Sequence, residues 1–295
     1  VMKILFVHAH YDDYEFTSAG TFELFRRKHG EALRARVLVC TDGKAGHHFR
    51  TREETGQVRL REQEESARLG GYEFQQLRLP GGAPPREACL QVDIPLLAAL
   101  WQAIREFEPD YLFCPPMVTD PLAGLHNDHQ TVAEAIRRIA YMINVPHAFT
   151  PEFPADEARS TPCKVPVIVH VYDGYQFGAN GYDLAIQAES TFPLVTRLTW
   201  CHQSQIREWL PWVGRHELAV PGSVEEWAEG LRRRFTKRNR ELGIESREYY
   251  EVFTLSAWGE IPAWEQIERD WPGIDCSRSP LPALQARLRR WKHGE

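Results

Sequence analysis

The sequence has no CxxC pair, no apolar run long enough to cross a membrane, and no GxGxxG after its first apolar segment. The six cysteines (Cys40, Cys89, Cys114, Cys163, Cys201 and Cys276) lie far apart. With no secretory signal pattern either, the thiols are expected to be free and mostly buried, and the expected compartment is the cytoplasm. A helical membrane span needs roughly 18 apolar residues, and none is present. The missing glycine fingerprint argues against a dinucleotide site, because the carboxylates that stand there instead would repel a pyrophosphate. Lysine is scarce and arginine abundant, a skew that reads as coding bias. The balance of 35 basic against 41 acidic residues, net −6, excludes the footprint of a nucleic-acid binder and any pull toward an anionic membrane.

What is present is alternation. Lys3-Ile4-Leu5-Phe6-Val7 reads as a strand buried on both faces, followed by a helical segment from Thr17 to His29 that stops at Gly30. A second apolar run, 35–40, closes on Thr41-Asp42-Gly43. Helical period and charge pairing mark 57–69, a short strand covers about 74–79, and 94–107 is strongly amphipathic. Tyr111-Leu112-Phe113-Cys114 forms the next strand. The pattern predicts an α/β, Rossmann-like, mostly parallel sheet with helices on both faces, and places ligands beyond the carboxyl ends of its strands. After about residue 150 the pattern weakens: a strand at 165–171 and a charged helix at 223–243 stand out, and there is no internal repeat. The expected organisation is one domain, with a core over 2–210 and a C-terminal extension, 211–295, packed on it.

Two clusters sit where that topology would put a ligand. "HAHYDDYEF" (His8–Phe16) follows the first strand, and "LHNDHQTV" (Leu125–Val132) precedes a helix expected from Asp128 to Met142, with Asn127 as its N-cap. His10 and Asp13 are three residues apart, as are His126 and His129. Catalytic zinc takes three ligands from His, Asp or Glu and keeps one position open, so two such pairs facing one crevice point to a metal. Either cluster alone would pass for a solvated loop.

The two motifs together, His10-Tyr11-Asp12-Asp13 and His126-Asn127-Asp128-His129, resemble the HPDD and HxDH signatures of the N-acetylglucosaminylphosphatidylinositol de-N-acetylase family, the PIG-L or LmbE-like deacetylases. Glu15 matches a further family glutamate. "CTDGKAGHH" (Cys40–His48), Arg61-Glu62-Gln63-Glu64 with Ala67 and Leu69-Gly70, and "CHQSQ" (Cys201–Gln205) extend the resemblance over roughly 3–210. It implies Zn²⁺ held by His10, Asp13 and His129, with Asp12 as general base. It also implies His126 as oxyanion donor or acid to the leaving amine, oriented by Asp128. The implied reaction removes an acyl group, most simply acetyl, from an amino sugar or a glycoconjugate. Many members are trimers or hexamers, which leaves homo-oligomerisation open. Two departures bear on substrate: Tyr11 replaces the usual proline, so its ring could enter the site, and "LPGGAPP" (Leu79–Pro85) lacks an aspartate that many members place there.

Arg61 is the expected contact for an anionic or hydroxyl-rich substrate group, against a surface salt bridge as the plain alternative. Asp42, Glu15 and Tyr11 complete the substrate-side candidates, with His47 and His48 on the same loop as Asp42. His202 reads as structural. "RRRFTKRN" (Arg232–Asn239) could bind phosphate, but flanking glutamates favour a solvated face. Trp209 and Trp212 could line a sugar pocket or pack in the core. His8-Ala9-His10-Tyr11-Asp12 also fits HxHxD, which keeps open another metal hydrolase using His8, His10 and Asp12. A metal-free binding module of the same fold is the non-enzymatic alternative.

Overall fold

The computed structural model describes residues 1–159, 161–214 and 218–294. In chain order, β1 (Met2–His8) leads through α1 (Asp13–Thr17) and α2 (Ala19–His29) to β2 (Leu33–Val39). Then α3 (Arg52–Gly70) precedes β3 (Glu73–Gln76), α4 (Ile94–Phe107) precedes β4 (Tyr111–Cys114), and α5 (Asn127–Ile139) precedes β5 (Val167–Val171). β6 (Leu184–Gln187) is followed by α6 (Phe192–Trp200), a wide π-type turn over Ser204–Trp209, α7 (Leu210–Val213) and α8 (Val224–Glu241). β7 (Tyr250–Leu255), α9 (Trp264–Asp270) and α10 (Leu281–His293) come last.

The sheet order is β3-β2-β1-β4-β5-β7-β6. From β3 to β5 every pairing is parallel, and β7 pairs antiparallel with both β5 and β6. The mostly parallel Rossmann-like sheet expected from the alternation is the one found. Its strand order reverses between β1 and β4, which opens a crevice beyond their carboxyl ends.

Period-two alternation sorts the core. Ile4 and Phe6 of β1 join Val37, Phe113 and Val169 on one face, while Leu5 and Val7 join Leu112, Ile168 and the apolar stripe of α4 and α5 on the other. Helix starts follow local chemistry. Thr51 caps α3 in a reciprocal box with Glu54, and the Asp93 side chain accepts from the Leu96 amide at 2.9 Å to open α4.

Three differences from the sequence reading matter. The expected helix at 17–29 is two helices, broken at Ser18, and the first begins within the Asp12-Asp13 motif. The cap of α5 is His126, whose Nδ1 accepts from the Asp128 amide at 3.2 Å; Asn127 is the first helical residue, and the helix ends at Ile139. The C-terminal segment does not sit on a finished core: β7 is an inner strand, hydrogen-bonded between β5 and β6. All six cysteines are free thiols, with Cys40, Cys114 and Cys163 buried and Cys89 and Cys276 exposed. Among the described residues no helix is long and apolar enough to cross a membrane.

Candidate metal centre and cavity

β1 is buried and stiff up to His8, and the chain then turns sharply into α1. Asp12 makes that turn with φ 87° and ψ −22°, a left-handed conformation that aspartate tolerates better than most residues. Its amide donates to Gln63 Oε1 at 3.3 Å, and its carbonyl accepts from the Glu15 and Phe16 amides. The turn throws His10 and Asp13 to the same side. Across the switch point, α5 presents His129 from its first turn.

Three donor groups converge. His10 Nδ1 lies 3.1 Å from His129 Nε2, and Asp13 places one oxygen 3.3 Å from His10 Nδ1 and the other 3.4 Å from His129 Nε2. The outer nitrogens fix the tautomers. His10 Nε2 faces Asp128 Oδ2 at 3.1 Å, and His129 Nδ1 faces Asp173 Oδ2 at 3.3 Å, so each outer nitrogen carries the proton. The inner nitrogens then turn two lone pairs toward each other beside a carboxylate. A second proton on each would set two N–H groups head to head, whereas one cation satisfies all three groups. The spacing is close to the ~3.3 Å edge of a tetrahedron with metal–ligand bonds of about 2.0–2.1 Å. His126 and His8 lie within the same donor sets, the first with His10 and His129, the second with Asp13 and His129.

Electrostatics agree. Burial alone would depress His10 and His129, yet Asp13 with Asp128 raises His10 to about 9, and Asp13 with Asp173 raises His129 to about 10. The donor cluster itself is short of positive charge. Burial raises Asp12 to about 6 against the pull of Arg59. His126 is pushed down to about 3 by burial and by His10 and His129, so it stays neutral; with Nδ1 accepting, its Nε2 carries the proton. His8 packs behind Asp13, with Nδ1 2.5 Å from Oδ2.

The sequence candidates divide in the structure. His10, Asp12, Asp13, His126 and His129 line one cavity of about 550 Å³. Asp128 is fully buried, and its carboxylate serves His10 together with the amides of Ala88 (2.6 Å) and Leu90 (3.3 Å); the His126 ring meets only its backbone amide. Arg61 is exposed on the outer face of α3 and lines no part of the cavity, and its place is taken by Arg59. Arg59 is buried, donating to Glu87 at 2.7 Å and to the Tyr11 carbonyl at 2.8 Å, with Asp12 Oδ1 at 3.5 Å.

Glu15 is also turned away from the cavity. It is fully buried and accepts from Gln63, Ser66 and Tyr72, with His202 Nε2 at 3.3 Å. Tyr11 does not enter the site: its ring packs over Gly43 and its hydroxyl donates to Gln76. Asp42 ties loops together, accepting from the Lys44 and Glu87 amides at 3.2 and 3.0 Å. His47 pairs with Glu208 at 2.8 Å, while His48 stacks on Trp212; Trp209, not Trp212, lines the cavity.

Sequence reasoning missed Arg59, Glu87 and Asp173, and the share of the cavity wall supplied by α8. The "CHQSQ" segment stitches distant parts together: Ser204 donates to Glu62 through both its amide (2.7 Å) and hydroxyl (2.6 Å), and Gln205 Nε2 to the Gly46 carbonyl (3.2 Å).

Fold and site thus define a Rossmann-like α/β protein with a His/His/Asp donor cluster at its switch point. Residues 5–140 match the family model PIG-L, GlcNAc-PI de-N-acetylase. No curated protein matches the chain by sequence. Among solved structures, N,N'-diacetylchitobiose deacetylase from Pyrococcus horikoshii, complexed with an inhibitor, aligns over 87% of this chain and 84% of its own at 19% identity, TM-score 0.64. The conserved protein TT1542 from Thermus thermophilus aligns over 90% and 99% at 19% identity, TM-score 0.61. GalB, the 4-carboxy-2-hydroxymuconate hydratase from Pseudomonas putida, aligns over 86% and 96% at 15% identity, TM-score 0.58. At these identities the likeness is one of fold, and the fold hosts a hydratase as well as a deacetylase.

Proposed function

We propose that the protein is a metal-dependent deacetylase that hydrolyses the N-acyl group, most simply acetyl, of an amino sugar or sugar conjugate. The observation that carries this reading is the meeting of the His10, Asp13 and His129 donors beside Asp12, all inside the PIG-L segment. Zn²⁺ suits two imidazoles and one carboxylate, and when bound there it would polarise the amide carbonyl and acidify water.

The chain's own groups complete the chemistry. Asp12 gives Oδ1 to Arg59 and leaves Oδ2 without a protein partner among the described residues. That oxygen takes the proton of the attacking water, and a carboxylate pushed up to about 6 is suited to receive it near neutrality and to return it to the departing amine. His126 is held neutral, so it acts as an Nε2–H donor to the developing oxyanion rather than as the acid. One such donor is worth about 3 kcal/mol. Asp128 and Asp173 hold His10 and His129 in the tautomers that face the cation.

The test is elemental analysis of protein purified without added metal, together with acetate release from a panel of N-acetylated amino sugars. Near-stoichiometric zinc with acetate release supports the reading. Protein that takes up no metal even on reconstitution refutes it and favours a binding module. Metal with hydration of an unsaturated acid in place of acetate release would assign it the hydratase chemistry instead.

A further inference from the structure

The cavity reaches beyond the donor cluster to α8, outside the family-matched segment. There the basic run 232–239 splits by helix face. Arg232 leaves the cavity to pair with Glu189 at 2.6 and 2.8 Å. Arg238 spends its guanidinium on the carbonyls of Phe16 and Tyr250. Arg234 and Lys237, one helical turn apart, both line the cavity, and neither has a hydrogen-bond or ionic partner among the described residues.

None of the carboxylates on the cavity wall pairs with Arg234 or Lys237 among the described residues. Glu87 is held by Arg59 and the amides of Ala45 and Gly46, and Asp12 by Arg59. Asp13 and Asp173 serve the imidazoles, and Glu241 accepts from the Tyr172 hydroxyl at 3.3 Å. The Arg234 guanidinium packs 4.9 Å over the Phe16 ring, and burial lowers its pKa. Arg234 is half-buried and Lys237 exposed, and Asp12 acts on Arg234 only at a distance; a partly desolvated guanidinium with no carboxylate in contact gains when an anion arrives. Tyr175 spans the distance: its ring touches His126 and His129 at 5.1 and 5.3 Å between centroids, and it is an electrostatic neighbour of Arg234.

We propose that Arg234 and Lys237 form an anion subsite that binds a phosphate or carboxylate carried by the substrate away from its amide. The proposal rests on the deacetylase reading only in taking the occupant to be the substrate. A planar guanidinium with an ammonium beside it suits either oxyanion, the phosphate offering more acceptor oxygens. The subsite narrows the substrate class to acidic N-acyl amino sugars and places the specificity determinant in the C-terminal segment.

The experiment measures binding by titration calorimetry, without requiring turnover. The probes are N-acetylglucosamine, its 6-phosphate, and N-acetylmuramic acid, which carries a carboxylate. Wild type should bind at least one acidic probe about tenfold or more tightly than the neutral sugar, with a preference that weakens in salt. Which acidic probe wins separates phosphate from carboxylate. Arg234→Gln and Lys237→Gln should remove most of the preference, Arg234→Lys should keep part of it, and Arg233→Gln, exposed on another face of α8, should keep all of it. Equal wild-type affinity for all three probes, no binding of any probe, or a preference intact in Arg234→Gln would overturn the proposal. Circular dichroism melting checks that each variant folds, and Arg234→Lys carries the test if Arg234→Gln does not. Acetate release is read separately. A charge preference without release would leave the subsite standing and remove the deacetylase reading, and release indifferent to charge would do the reverse.

Discussion

Replacing Asp173 by asparagine tests the donor cluster at a residue that holds the outer nitrogen of His129. Asp173 Oδ2 faces His129 Nδ1 at 3.3 Å, while Oδ1 accepts from the Tyr175 amide at 2.9 Å. Asparagine has one acceptor oxygen in place of two. If it stays with the Tyr175 amide, an NH₂ group confronts the His129 Nδ1–H, and the imidazole must shift its proton to Nε2, closing the lone pair that should face the cation. If it turns to His129, the Tyr175 amide is orphaned. For full charges at 3.3 Å in an effective dielectric near 20, the Asp173–imidazole attraction has a ceiling of about 5 kcal/mol. Loss of such an outer partner ordinarily weakens metal binding tenfold to a hundredfold, or about 1.4–2.7 kcal/mol. The assay is zinc competition between metal-free protein and a chromophoric chelator, with a melting curve to confirm folding. A folded Asp173→Asn protein whose zinc affinity stays within about twofold of wild type would refute the tautomer argument, and with it the assignment of His129 Nε2 as a ligand.

Asp12→Asn should retain zinc but lose about 10²-fold or more in turnover, whereas His129→Ala should lose both; a fully active Asp12→Asn protein removes Asp12 from the base role. The buried Glu15–His202 pair sets a stability window. Burial raises Glu15, but His202 and its hydrogen bonds outweigh that and hold it below its ordinary value; burial lowers His202, but Glu15 holds it above its own. The glutamate's share is therefore complete above about pH 4.3 and fades as pH falls through its depressed pKa. The histidine's share is complete below about 6.5 and fades as pH rises through its elevated one. His202→Gln should abolish that alkaline decline in melting temperature, and an unchanged profile would show that the pair is not ionised. Gly43 has φ +61°, and a Cβ there would overlap the Tyr11 ring. Gly43→Ala should cost roughly 2–5 kcal/mol, read as a lowered urea midpoint, and a cost under about 1 kcal/mol would mean that the Tyr11 ring gives way freely.

The parallel half of the fold was legible because its strands are apolar runs ended by turn residues, and the donor cluster because its members sit in two short motifs at strand ends. What failed was angular. Arg61 and Arg59 lie two residues apart, about 200° around a helix. The buried positions of α3 (Thr55, Gly56, Arg59, Gln63, Ser66 and Ala67) fall on one stripe, so helical period could have chosen Arg59 in advance. Glu15 and Tyr11 were misassigned for the opposite reason. Their identities suggest chemistry, and only the packing shows that the turn at Asp12 sends them inward. Asp173 had no local signal, since a lone aspartate before a glycine reads as a turn. β6 is only four residues long, and nothing in one-dimensional order tells that β7, later in the chain, lies inside it.

That interior placement of β7 has a consequence for how the protein can be made and altered. As the chain leaves the ribosome, the segment bearing both histidine motifs emerges long before the strand that covers the open side of β5, so an exposed, pairing-competent edge persists through synthesis and needs shielding. Inheritance is constrained in the same way. The helix carrying Arg234 and Lys237 leads into β7, an inner strand of the sheet, so it cannot be exchanged between proteins as a cassette. New preferences at that end of the cavity must come by single substitutions along α8.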